Sequence, residues 1–112
     1  MGLAQRALGE WENAERHLRA ALELATETSD AHQEASVLNA LGMLYRLQGL
    51  WGEGEMVYCE VQLRFHDVGD FYGESQAWSN LGSLYLQRDR WTDAIACYKK
   101  SLDFVRALSD RV

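Results

Sequence analysis

The chain has 112 residues, 47% of them hydrophobic and 25% charged, with no proline and a net charge of −6. This is the make-up of a small soluble globular unit rich in good helix formers, and the acidic balance excludes the basic footprint that nucleic acid or an anionic membrane surface requires. No apolar run approaches the ~18 residues of a membrane span, no N-terminal leader pattern occurs, and the two cysteines, Cys59 and Cys97, form no CxxC pair, which suits free thiols in a reducing, cytoplasmic setting.

Taken in chain order, apolar spacing of three and four predicts helices over residues 1–8, 11–28, 32–48, 51–68, 72–88 and 91–108. Gly9, Gly49 and Asp89 fall in the breaks that follow the first, third and fifth of these, where a left-handed residue after a helix favours Gly and tolerates Asp. Asp30, Asp70 and Asp110 stand at N-cap positions, and Asp30 with Gln33 has capping-box spacing. Glu10, Glu12 and Glu15 are expected near a helix start, favourably placed against its dipole.

These helices come in pairs that recur every forty residues. Leu41-Gly42-Met43-Leu44-Tyr45 returns as Leu81-Gly82-Ser83-Leu84-Tyr85, and Trp11, Trp51 and Trp91 share one register, as do Tyr58 and Tyr98. The string Trp78-Ser79-Asn80-Leu81-Gly82-Ser83-Leu84-Tyr85, followed by Ala94, Tyr98 and Ser101, resembles the tetratricopeptide signature W-x2-L-G-x2-Y-x8-A-x3-F-x2-A. The middle repeat matches through Leu38, Leu41, Gly42, Tyr45, Gly54, Tyr58 and Val61, and the first more loosely through Met1, Gly2, Gln5, Ala14, Leu18 and Ala21.

The resemblance implies an all-α solenoid of antiparallel helix hairpins in a right-handed superhelix of about 2.8 repeats, with a partial repeat over 1–30 and repeats over 31–70 and 71–110. The period is longer than the usual ~34 residues, and Gly-Asp or Ser-Asp replaces the customary proline. In this the chain is similar to Pins-type polarity adaptors, bacterial Rap-type regulators and the sensor arms of STAND-class transcription regulators. A deeper groove is expected. The chain starts part-way through a repeat, and residues 111–112 open a further helix, so the expectation is an excerpt of a longer array, with uncovered end faces open to self-association. Gly52 and Gly54, both near the start of one helix, make the middle repeat the expected weak member.

No catalytic set emerges. His17, His32 and His66 share no repeat position and have no cysteine or carboxylate at ligand spacing, so no metal or cofactor is expected. The cysteines lack a histidine neighbour that would make a thiolate nucleophile. Gly49-Leu50-Trp51-Gly52-Glu53-Gly54 lacks the Lys-Ser/Thr ending of a phosphate loop and carries an acid where phosphate would lie. The tryptophans at 11, 51 and 91 read as hairpin packing in preference to a stacking ladder.

What remains is the inner face that the resemblance assigns to the first helix of each hairpin. By position it comprises Leu3 and Arg6, then Ser36, Asn39, Met43, Arg46 and Leu47, then Gln76, Ser79, Ser83, Leu86 and Gln87. It contains no acid in an acidic chain. The partner-binding residues expected are Arg6, Asn39, Met43, Arg46, Gln76, Ser79, Ser83 and Leu86. Arg6 and Arg46 share a register and should stack, which suits an acidic, phosphorylated or carboxylate-ended protein segment; the opposing expectation is that both arginines pair with glutamates of neighbouring helices. Asn80 occupies a slot like that of the basic clamp in chaperone-binding relatives, but the accompanying lysines are absent. The function expected is a non-catalytic protein–protein interaction scaffold. The alternative is the ligand- or peptide-sensing arm of a STAND-type regulator.

Overall fold

Five helices follow one another in the computed structural model, which describes the backbone of residues 3–110 and the side chains of residues 9–110. They are α1 (Leu3–Glu27), α2 (Ala31–Gln48), α3 (Trp51–Asp67), α4 (Phe71–Gln87) and α5 (Trp91–Asp110). No strand occurs among the described residues. Each helix packs mainly on its immediate neighbours in sequence, and among the described residues the only further helix–helix contact is a light one between α2 and α4. That is the quasi-one-dimensional arrangement of a helical-repeat solenoid. Because α2 and α4 touch, they lie side by side on one face of it.

The turns show why the chain folds this way. Ser29, Gly49, Gly69 and Asp89 all have positive φ, 57°, 79°, 76° and 59°. After each, the next N–H reaches back to the carbonyl five residues earlier: Asp30 to Ala25, Leu50 to Tyr45, Asp70 to Phe65 and Arg90 to Tyr85, every bond 2.9 Å. One left-handed residue thus closes each helix at a spacing of twenty residues. Asp30 and Asp70 then open the next first helix by accepting from the Gln33 and Gly73 amides at 3.0 and 2.9 Å, as their N-cap positions predict. Accepting the Gly73 amide, and next to it a contact from His32, holds the Asp70 carboxyl below the usual carboxylate range.

The expected break at Gly9 is absent, because α1 runs unbroken from Leu3 to Glu27. A segment of about two turns is too short to stand as a separate helix, and carrying the helix through one glycine costs only about 1 kcal/mol relative to alanine. Glu10, Glu12 and Glu15 therefore lie well inside a helix, and its first turn carries no acid. Glu15 accepts instead from the Tyr45 hydroxyl at 2.8 Å, to which Arg19 also donates at 2.7 Å. Forty residues on, Tyr85 donates to Glu55 at 2.8 Å with Arg90 lying over its ring. The same polar tie fastens each second helix to the first helix that follows it.

Two apolar clusters fill the stack. One gathers Leu38, Leu41, Tyr45, Val61 and Phe65, with Trp11 packed against it; the other gathers Tyr58, Leu81, Leu84 and Tyr85, with Trp51 and Trp78 alongside. Trp11 and Trp51 thus serve packing as expected, whereas Trp91 is 63% exposed. Close approach of α2 and α3 depends on Gly42: a Cβ there would sit 2.8 Å from Cε1 of Tyr58.

The histidines are exposed, but two of them do have carboxylate partners. His32 Nε2 lies 2.8 Å from Asp70 and His66 Nδ1 lies 3.0 Å from Glu74. Stacking of hairpins brings these pairs together, which helix spacing along the chain does not show. No cluster of three metal-ligating side chains occurs among the described residues.

Candidate binding groove

The face shared by α2 and α4 carries the groove. Asn39, Met43, Gln76, Ser79 and Asn80 line a depression of about 360 Å3. Four of these are partner-binding residues expected from the sequence, and the fifth, Asn80, is the clamp-like slot. The helical repeat explains the grouping: Asn39 and Met43 lie one turn apart on α2, and Gln76, Ser79 and Asn80 one turn apart on α4. Asn80 donates its amide to Asn39 Oδ1 at 2.9 Å, which bridges the two helices across the floor and leaves the Asn39 amide group and the Asn80 carbonyl free for other bonds.

The remaining expected residues sit further along the same helices. Arg46, half-buried, donates to Gln87 Oε1 at 3.4 Å. Among the described residues it enters no ion pair, so the glutamate pairing set against it does not form for this arginine. Ser83 is bonded to the Tyr98 hydroxyl at 2.8 Å, and Leu86 is 50% exposed. Arg6 belongs to α1, but its side chain, and with it the proposed stack on Arg46, lies outside the described residues. No aspartate or glutamate lines the depression.

Sequence reasoning missed Tyr58. Its ring is wholly buried, and its hydroxyl lies against the half-buried Arg46 guanidinium. Burial pushes the Tyr58 phenol up, while a hydrogen bond from the Arg46 guanidinium, and its charge, pull the other way. The signal was present in the repeat: Met43 stands in the register of Ser83, the residue that satisfies Tyr98. The two thiols also divide, Cys59 exposed and Cys97 buried, and burial raises both above the usual thiol value. Neither is poised as a nucleophile.

Tetratricopeptide-repeat family models match residues 1–61 and 75–104. The chain belongs to the tetratricopeptide repeat family. No curated protein matches it. Tetratricopeptide repeats are typically non-catalytic, and their presence indicates a protein–protein interaction scaffold in general terms. Residues 62–74, which hold the end of α3, the turn and the start of α4, and residues 105–112 fall outside the two matches. No helix among the described residues is long and apolar enough to cross a membrane.

Proposed function

We propose that this tetratricopeptide-repeat chain holds an extended segment of a partner protein, acidic or carboxylate-ended, in the groove between α2 and α4. The observation that carries this reading is the depression between Asn39, Met43, Gln76, Ser79 and Asn80, which has polar walls and no acid in a chain of net charge −6. Carboxamides on both walls offer donors and acceptors to the main chain of an extended peptide, and Arg46 supplies a cation further along α2. A basic peptide finds no counter-charge there.

Selection from a peptide library containing acidic, neutral and basic members tests it. Acidic sequences should be enriched, and the double substitution Asn39→Asp with Gln76→Glu, both partly solvated, should weaken the selected peptides about tenfold or more by placing like charges against them. Enrichment of basic sequences, or an unchanged affinity in the double variant, would falsify the reading.

A further inference from the structure

Along α5, Trp91, Ile95, Tyr98, Leu102 and Val105 follow one another at steps of four, three, four and three. That spacing lays side chains in a single seam for a second helix to pack against. Trp91, Ile95, Leu102 and Val105 are 41–63% exposed, and among the described residues α5 meets no helix but α4. The forty-residue register supplies a comparison. In α3 the same five places hold Trp51, Glu55, Tyr58, Gln62 and Phe65, and in α1 they hold Trp11, Glu15, Leu18, Leu22 and Ala25. A first helix is tied to each of these two: Tyr85 of α4 donates to Glu55, and Tyr45 of α2 to Glu15. On α5 that tie is gone, because Ile95 stands in the glutamate register, and Leu102 replaces the buried Gln62. The α5 seam is thus apolar throughout, apart from a Tyr98 hydroxyl already bonded to Ser83. It does not reproduce the contact by which the chain stacks its own hairpins.

One edge of the seam carries positive charge. At 3.6 residues per turn, Ala94, Cys97 and Ser101 lie on the side that packs against α4. Lys99 and Arg106, both exposed, fall beside the seam on the other side, with Asp103 and Asp110 further round. Neither cation enters an ion pair among the described residues. Arg106 holds the register of His66, whose ring lies 3.0 Å from Glu74 on the helix stacked against α3. A basic side chain at that place therefore reaches an acid of the covering helix.

We propose that the α5 seam docks an amphipathic helix of a partner protein, one with an apolar stripe and acidic residues beside it. A second copy of the chain is disfavoured on two counts. A two-fold pairing of α5 centred on Tyr98 sets Lys99 against its own counterpart, and the first helices α2 and α4 are already covered on both sides. The seam lies on a different helix from the groove between α2 and α4, so the two readings stand or fall separately.

Two synthetic helical peptides with the same leucine seam, one flanked by glutamate and one by lysine, are the probes, titrated by calorimetry into the full 112-residue chain. The glutamate peptide should bind saturably, and the lysine peptide about tenfold or more weakly. Lys99→Glu together with Arg106→Glu should exchange that preference. Ile95→Glu, which restores at an exposed place the residue that α1 and α3 carry, should leave thermal unfolding unchanged and weaken the glutamate peptide about tenfold or more. The proposal is overturned if the glutamate peptide does not bind, if reversing the edge leaves the preference as it was, or if Ile95→Glu binds like the parent. Sedimentation of the chain alone supplies the last outcome. A monomer is expected, and a dimer that Ile95→Glu dissociates would give the seam to a second copy and overturn the partner helix.

Discussion

The hairpin α2–α3 and the hairpin α4–α5 are built to one plan and differ in how their shared tyrosine is used. In the first, Tyr58 is fully buried, lies against Gly42 and helps to close the contact with α4. In the second, Tyr98 is half-buried, is bonded through its hydroxyl to Ser83, and has no further helix beyond it among the described residues. Position in a stack, more than residue identity, sets what a repeat residue is worth. The largest expected effect follows directly. Tyr58→Ala should cost about 3–5 kcal/mol through transfer and cavity terms, and Tyr98→Ala distinctly less, as read by urea denaturation. Equal losses would mean that the two hairpins are energetically equivalent after all.

The polar ties sharpen the comparison at a smaller scale. Tyr45 is held by both Glu15 and Arg19, whereas Tyr85 has Glu55 and only the face-on arginine, Arg90. Tyr45→Phe should therefore destabilise slightly more than Tyr85→Phe, each by about 1 kcal/mol, measured as a shift in denaturation midpoint. Both phenols are pushed up, chiefly by burial and then by the bond to a glutamate. With folded values raised above the unfolded value near 10, this contribution is complete below about pH 10 and is lost as pH rises through the folded values. Melting temperatures taken from pH 8 to 11 should fall at the alkaline end for the parent chain. The fall should be shallower in the double phenylalanine variant.

How much of this was legible follows the same division. The left-handed turns at Gly49 and Asp89, the caps at Asp30 and Asp70, and the gathering of Asn39, Met43, Gln76 and Ser79 could all be read off, because each rests on local geometry or on a forty-residue register. The continuous α1 was not, since a glycine between two helix-forming stretches marks either a turn or a tolerated interior residue; at Gly9, where an added Cβ would meet nothing within 4 Å, the low cost of one helical glycine decides. The pairing of His32 with Asp70 spans 38 residues and depends on how hairpins stack. Tyr58 was hidden for a third reason. Its register with Tyr98 was plain, but the exchange of Ser83 for Met43 acquires meaning only once the tyrosine is seen to reach that position.

The smallest effect concerns the two glycines that open α3, residues that the sequence groups together and the structure separates. Gly54 is buried, and a Cβ there would meet Leu84 Cδ1 at 3.0 Å and lie 3.6 Å from the Gly42 carbonyl oxygen. Gly52 is exposed, helical, and has nothing within 4 Å of the same construction. Gly52→Ala should therefore stabilise the chain by about 0.4–1 kcal/mol, by removing conformational freedom from the unfolded state without crowding the folded one. Gly54→Ala gains the same entropic term but must push a leucine of the neighbouring hairpin aside, so it should be neutral or destabilising. Measured side by side in thermal melts, the two alanines separate a glycine that merely softens its helix from one that sets the distance between hairpins. A gain from both would show that α3 and α4 have slack between them, and that the softness of the middle repeat lies in the helix itself.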